Sequence, residues 1–313
     1  MDLQEGTRQL GIELSTQQLE SFARLQTELL DWNQRANLTA ITDPAEIVVK
    51  HFLDSLSCLL ALPRIDGRTI DTWLQTAPAA VDIGAGAGFP GLPIKIVWPG
   101  LRLTLLDATG KKTRFMTHAV EALGLSGVTV VQARAEEFGR RPGRQAFDLA
   151  FARAVSRFPA LLEYSLPMVK VGGWLIAQKG RDPQEELAGS QAALKALGGR
   201  LHSSFPVAVP GLDAERALVV VAKVAPTPSE YPRRPGIPEH QRMELQRGHF
   251  LPCSGARSVR EFELLCQRAI RPCSTHPCLC LTTATVGGRL SRRCCRGRAP
   301  ARLPALPWRE WLE

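Results

Sequence analysis

The sequence predicts an α/β protein built on a mostly parallel sheet covered on both faces, and three observations carry that reading. A short apolar strand of Ala80, Val81 and Ile83, with Asp82 at its end, runs through three alternating glycines, Gly84, Gly86 and Gly88, into a helix that opens near Leu92. Beyond it, strand-like and helix-like segments alternate as far as residue 198, as in repeated β-α units. The strands end on charged residues, Asp82, Asp107 and Arg153, at the sheet edge where ligands bind in such folds.

Two helices precede the sheet. Leu19, Phe22, Leu25, Leu29, Leu30 and Trp32 recur at three- and four-residue steps, which predicts a helix over 16–36 capped at Ser15-Thr16. Asp43-Pro44 opens a second helix over 44–62, with Ile47, Val48, Phe52, Leu53, Leu56, Leu59 and Leu60 along it. Together they form an N-terminal helical cap over 1–65, with His51, Asp54 and Ser55 sharing one region of the second helix. A lone His on an amphipathic helix reads as a surface or satisfied residue, and Cys58 reads as a small core side chain.

Residues 66–225 carry the sheet. After the glycine turn, strands are predicted at 102–107, 128–132, 147–152 and 173–178, with helices at 111–123, 157–169 and 184–198 between them. The segments 200–208 and 216–223 read as a closing pair of strands.

Charge and cysteine divide the chain unevenly. Of its 313 residues, the first 225 hold 24 basic and 23 acidic side chains, whereas 226–313 hold 15 Arg, no Lys and 7 Glu. Nearly all of the formal net charge of +9 therefore belongs to the tail, and an anionic partner must be met by local basic residues of the sheet domain. Only Cys58 lies in the first 252 residues, as expected of a reduced, disulfide-free fold. Cys273, His276, Cys278 and Cys280 offer no clean pair of C-x₂-C knuckles, so no metal is expected. Residues 226–313 read as a basic Arg/Pro/Cys-rich tail, disordered or non-native, with an RNA-binding arm as the other reading. With no apolar run near 18 residues and no leader, the chain reads as soluble and cytoplasmic, without a membrane or an obligate protein partner.

The glycine turn narrows the ligand. A dinucleotide fingerprint, G-x-G-x-x-G/A, requires its third small residue at position 89, which is Phe89. The sequence instead reads D-x-G-x-G-x-G from Asp82, the pattern of methyltransferases that bind S-adenosylmethionine. Bare backbone N–H groups and the start of a helix are expected there to meet an anionic group. Asp107 closes the second strand about 20 residues on, where an acid accepts hydrogen bonds from ribose hydroxyls. A nicotinamide enzyme is compatible with Asp107 as well. Arg153, after the fourth strand, faces the reaction centre on one reading and forms a surface ion pair on the other.

Several motifs then fall into one order. Trp32-Asn33 with Asn37-Leu38-Thr39, HFLDS at 51–55, VDIGAGAGFPGLP at 81–93 and LDATGKKTRF at 106–115 are followed by RAEEF at 134–138 and FDLAFARA at 147–154. Lys179-Gly180 and YPRRPGIP at 231–238 complete the series. In these the chain resembles the bacterial small-subunit ribosomal RNA guanine-N7 methyltransferases, also called the glucose-inhibited division protein B family, over about three quarters of its length. The resemblance implies a Rossmann-like class I methyltransferase with a seven-stranded sheet, S-adenosylmethionine as methyl donor, and one guanine in the 530 loop of 16S RNA as substrate. By position, it implies cofactor contacts at Gly84, Phe89, Asp107, Ala108, Thr109, Ala135, Glu136 and Arg153. The family pattern departs at Glu239-His240, after which the long tail follows.

Elementary chemistry agrees with a ring nitrogen as acceptor. Guanine N7 presents a lone pair and no proton, so methyl transfer requires alignment, with the reacting atoms held about 3–3.5 Å apart, and no general base. Enzymes that methylate exocyclic amines carry an Asn/Asp-Pro-Pro-aromatic loop where this chain has Ala152 to Ser156, ARAVS. Cytosine C5 chemistry needs a nucleophilic Cys, and Cys58 lies far earlier on an apolar helix. Arg153 and Lys179 are accordingly expected to position the reactants. Lys111, Lys112, Arg114, Arg157 and Arg181 are expected to meet RNA, as are Arg140, Arg141 and Arg144 on the connection before the fourth strand. The alternatives are a non-catalytic RNA- or ribosome-binding factor and a class I methyltransferase with another substrate.

Overall fold

A computed structural model describes residues 1–180 and 182–240. Its N-terminal part is helical. Helix α1 (Leu3–Gln9) starts at Asp2, and α2 (Thr16–Ala36) starts at Ser15. Ser15 and Gln18 form a reciprocal capping box, which contributes about 1 kcal/mol. At the other end Asn37 adopts a left-handed φ of 46° that turns the chain out of the helix.

The predicted single helix over 44–62 is compound. It comprises α3 (Pro44–Ile47), a π-helical turn (Val48–Leu53), α4 (Asp54–Leu56), a 3₁₀ turn (Ser57–Ala61) and α5 (Leu62–Asp66). Pro63 lacks an N–H and interrupts the ladder, and the tighter 3₁₀ turn precedes it. The apolar repeat averages over these changes of pitch, so it signals one helix. A short α6 (Ile70–Leu74), capped by Thr69, leads into the sheet.

The sheet follows as β1 (Ala79–Ile83), α7 (Gly91–Val97), β2 (Arg102–Asp107), α8 (Gly110–Ala122), β3 (Val128–Gln132), α9 (Ala135–Arg140) and β4 (Phe147–Arg153). It continues through α10 (Phe158–Ser165), β5 (Val169–Lys179), α11 (Gln184–Ala188), α12 (Gln191–Leu197), β6 (Gly199–Val207) and β7 (Arg216–Lys223). A one-turn α13 (Ile237–His240) closes the described part. The helix predicted at 157–169 ends early because Val169 already pairs with Phe147 in the sheet. That predicted at 184–198 is split at Gly189 and Ser190.

The strand order is β3-β2-β1-β4-β5-β7-β6, with β1 to β5 parallel and β7 antiparallel to both its neighbours. Seven strands, mostly parallel, are what the family resemblance implied. The order reverses between β1 and β4, so a crevice opens beyond the carboxyl end of β1. Register gathers the charged strand ends at that edge. Arg153 pairs with Gln178, and Lys179 pairs with Ala217 at the start of β7.

Two cores cover the sheet. On one face Leu103, Leu105, Leu149, Phe151, Ile176 and Leu218 pack with Phe22, Leu25, Leu29, Phe52 and Leu56 of the cap. On the other, Val81, Ile83, Leu106, Ala150, Leu175 and Val219 pack with Leu161 and Leu162 of α10 and Leu194 of α12. Each fully buried Leu or Phe contributes roughly 1.5–3 kcal/mol. The cap therefore shares a core with the sheet, and its polar residues stay fixed relative to the strand ends.

Candidate active site

The glycine turn after β1 forms the floor of the crevice. Gly84, Gly86 and Gly88 all have positive φ, at 65°, 62° and 87°. A Cβ at Gly88 would stand 2.3 Å from Leu92 Cδ1, so packing as well as backbone conformation demands glycine there. At Gly86 a Cβ would enter open space, with Gly84 O at 3.9 Å and Lys112 Nζ at 4.0 Å as its nearest neighbours. Gly86 thus presents bare backbone to the crevice. That open cradle fits the close approach of a nucleotide-like ligand.

Most amides of the turn are already engaged. Ala85 N donates to Leu106 O, Gly88 N and Phe89 N to Ala85 O, and Leu92 N to Gly88 O. Two acids take the remainder that bear on the site. Gly86 N donates to Asp107 Oδ2 at 2.9 Å, and Gly91 N donates to Asp82 Oδ2 at 2.7 Å. The turn therefore offers fewer free donors than its sequence predicts, because the strand-end carboxylates consume them.

Asp82 is fully buried, and burial pushes its carboxyl up to about 7. The Gly91 N–H and the charge of Arg153 oppose that rise, and Asp107 adds to it. Its Oδ1 is buried with no partner among the described residues. Asp107 also accepts from Thr109 N at 2.8 Å, so one carboxylate ties the exposed Ala108-Thr109 bend to the glycine turn. Each of its oxygens retains a lone pair for a hydroxyl donor.

The cap supplies the other wall. His51, in the π turn, stacks on Phe89 with centroids 4.5 Å apart and planes within 4°. Its Nε2 lies 2.9 Å from Thr39 Oγ1, and Asn33 holds that loop by accepting from the amides of Leu38 and Thr39. Burial, then the positive charge of Arg153, lowers the imidazole to about 4, so it is neutral at physiological pH. Cys58 is buried, and burial pushes its thiol up, away from the nucleophilic thiolate.

Arg153 resolves in favour of an ion pair, yet one within the site. Its Nη1 donates to Asp54 Oδ2 at 2.7 Å and to Lys50 O at 3.0 Å, and its guanidinium lies 5.6 Å from the Phe89 centroid. The next residue, Ala154, has a left-handed φ of 54°, which costs a residue with a side chain about 1–2 kcal/mol. Lys179 Nζ donates to Ser156 O and pairs with Glu186 at 2.7 Å. Glu136 is buried and accepts from Gly236 N, and Ala135 opens α9 beside it.

The basic residues divide. Lys111, Lys112 and Arg114 lie on the first turns of α8 beyond β2, with Lys111 Nζ donating to Asn37 O of the cap loop. Arg157 is exposed at the start of α10 beyond β4. Arg181 lies outside the described residues, as does the tail beyond 240. Arg140 and Arg144 are a correction, because their connection enters β4 at the opposite, amino-terminal edge of the sheet. Arg144 donates to the carbonyls of Thr227, Pro228 and Tyr231, and Arg140 to Glu230 O, so they hold the returning chain.

Asp54, Gln178 and Arg216 join the site without having been singled out as functional from the sequence. Only the HFLDS motif signalled Asp54. Glu163, which binds Arg233, was also silent.

This strand order, with a glycine turn at the switch point and an acid closing β2, defines a class I S-adenosylmethionine-dependent methyltransferase. A family model described as rRNA small subunit methyltransferase G matches residues 18–217. The chain is 47% identical over 229 residues to ribosomal RNA small subunit methyltransferase G of Roseiflexus castenholzii, covering 73% of this chain and 93% of that protein. It is 41% identical over 239 residues to the protein of the same name from Alkaliphilus metalliredigens, covering 76% and 96%. The chain belongs to the small-subunit rRNA methyltransferase G family. A solved S-adenosylmethionine-dependent methyltransferase from Aquifex aeolicus aligns at 20% identity over 58% of this chain and 94% of that one, with a TM-score of 0.42. Among the described residues no His/Cys/Asp/Glu cluster is arranged to hold a metal, and no helix is long and apolar enough to cross a membrane.

Proposed function

We propose that the chain methylates N7 of a guanine in the 530 loop of 16S RNA, acting in the cytoplasm on that RNA or on the small ribosomal subunit. The observation that carries this reading is the pair of cations at the ends of β4 and β5. Arg153 and Lys179 are each held by a carboxylate, Asp54 and Glu186, at the edge where the glycine turn opens. Such anchored cations orient without taking a proton, and N7 has no proton to give.

S-adenosylmethionine supplies an electrophilic methyl on a sulfonium centre. Gly84 and Gly86 admit it to the floor, Asp107 accepts from its ribose, and Ala108 and Thr109 border the same wall. Ala135 and Glu136 flank its adenine, while Phe89 and Arg153 close the side toward the cap. Lys111, Lys112, Arg114 and Arg157 meet RNA phosphates, and Arg181 belongs to the same expectation. Binding through phosphates weakens steeply with salt.

Incubation with labelled S-adenosylmethionine and small subunits lacking the modification tests the reading. Label is expected in 16S RNA, as 7-methylguanine at one position of the 530 loop by mass mapping. Label on another base, or on protein alone, overturns it.

A further inference from the structure

Asp54 sits where four elements meet. It comes from the compound helix of the cap and is almost wholly buried. Its Oδ2 accepts from Arg153 Nη1, at the end of β4, at 2.7 Å. Its Oδ1 accepts from Arg216 Nε, at the start of β7, at 2.9 Å, and from Gln178 Nε2 of β5 at 3.1 Å. Gln178 also donates to Asp54 O and Ser57 Oγ, fixing the carboxylate from the backbone side.

Within this cluster one carboxylate is shared by two guanidiniums. Both guanidiniums reach solvent, with side chains 15% and 25% exposed, while the carboxylate between them is 4% exposed. Their orientation is set by directed bonds, since Arg153 Nη1 also holds Lys50 O and Arg216 Nη1 holds Glu215 O. Nη2 of each is left without a protein acceptor among the described residues. Two preset guanidinium forks sharing a buried counter-charge are suited to an oxyanion.

We propose that Asp54 is a positioning residue that locks Arg153 and Arg216 into one oxyanion clamp at the mouth of the site. The proposal rests on the methyltransferase reading and adds Arg216, the first residue of β7, to its machinery. Two oxyanions can reach this edge, an RNA phosphate or the carboxylate of the methyl donor. Without Asp54 the two cations repel one another and lose their aim.

Asp54→Asn tests this with three measurements on the full chain. These are donor affinity by calorimetry without RNA, affinity for a 530 stem-loop RNA across a salt series without donor, and single-turnover methylation of small subunits. A phosphate clamp predicts weaker RNA binding, a log-log salt slope shallower by about 0.7 per lost contact, and intact donor affinity. A carboxylate clamp predicts a tenfold or greater loss of donor affinity and an unchanged salt slope. Either result with a single-turnover rate reduced at least tenfold supports the proposal. Unchanged donor affinity and unchanged slope overturn it, whatever happens to the melting temperature. Arg216→Gln, which leaves the Asp54–Arg153 pair in place, provides the second variant if Asp54→Asn fails to fold. It must lower the slope or the donor affinity, and neither change overturns the clamp. If the wild-type chain fails to label 16S RNA, the functional reading falls by itself, because the donor arm reads the clamp without any methylation.

Discussion

The His51 imidazole lies flat on the Phe89 ring, 4.5 Å from centroid to centroid. This contact joins the π turn of the cap to the glycine turn of the sheet, and with the Thr39 contact it fixes the crevice wall from both sides. The ring is held near pKa 4 by burial and by Arg153, against 6.5 when exposed. A folded-state pKa below the unfolded one means the unfolded chain binds the extra proton, so stability falls as pH drops from about 6.5 toward 4. The full effect is on the order of 3 kcal/mol. His51→Gln is expected to remove this part of the pH dependence. Urea unfolding of both proteins at pH 7 and pH 5 checks it, and an equal loss on acidification in both would refute the assignment.

Asp82 titrates with the opposite sign. Burial raises its carboxyl to about 7 from 3.8, so the folded chain retains a proton that the unfolded chain has lost. The stability it contributes is complete below about pH 3.8 and is lost as pH rises through 7. Asp82→Asn keeps an acceptor for Gly91 N and removes the charge. The variant is expected to gain on the wild type between pH 5 and pH 8 by a few kcal/mol. A constant difference between the two across that range would show that Asp82 carries no such shift.

Much of this architecture was legible because it repeats. Helix α2 and strands β2, β3 and β7 follow from their apolar repeats and runs with the bounds the structure gives. Helices α1 and α6, at seven and five residues, are too short for a period to emerge. The compound helix defeated the pattern because changes of pitch leave the apolar spacing nearly intact. Asp107 and Arg153 were visible as residues at strand ends, and Gly86 as part of the glycine turn. Arg153's partner was not, because Asp54 lies 99 residues away in sequence and Arg216 a further 63 beyond Arg153. The same blindness placed Arg144 with the RNA-facing cations, whereas it binds carbonyls more than 80 residues downstream.

The glycine turn separates folding from binding. A Cβ at Gly91 would stand 2.4 Å from Leu105 Cδ2 and 2.8 Å from Asp82 Oδ2, both buried, so Gly91→Ala must displace β2 or the cap of α7. A cost of about 1–3 kcal/mol is expected from overpacking. Gly86→Ala meets open space and pays only for its positive φ, roughly 1–2 kcal/mol. It nevertheless places a methyl group in the cradle, so donor affinity should fall at least tenfold while the melting temperature moves by only a few degrees. Calorimetry with S-adenosylmethionine beside thermal melts distinguishes the two. Undiminished donor affinity in Gly86→Ala would remove the turn from the cofactor site.

The chain beyond β7 is clasped to the back of the domain by a buried ion pair. Glu163 of α10 is fully buried and receives Arg233 through its backbone N at 2.6 Å and through Nε and Nη2 of the side chain. Three residues later Gly236 N donates to Glu136, so the clasp reaches the end of the site assigned to adenine. Truncating Arg233 leaves a carboxylate uncompensated in the core, which costs about 3–5 kcal/mol. Replacing both partners by apolar residues of similar volume removes that penalty. Arg233→Ala is therefore expected to lower the unfolding free energy by that amount, and Arg233→Met combined with Glu163→Leu to recover part of it, since the backbone N–H of residue 233 also loses its acceptor. In both variants the segment loses its anchor for Gly236, so donor affinity should fall even where stability returns. Chemical denaturation and donor calorimetry on the single and double variants check the two parts separately. A double variant as unstable as Arg233→Ala would show that the cost lies in losing the anchor itself and not in an uncompensated Glu163.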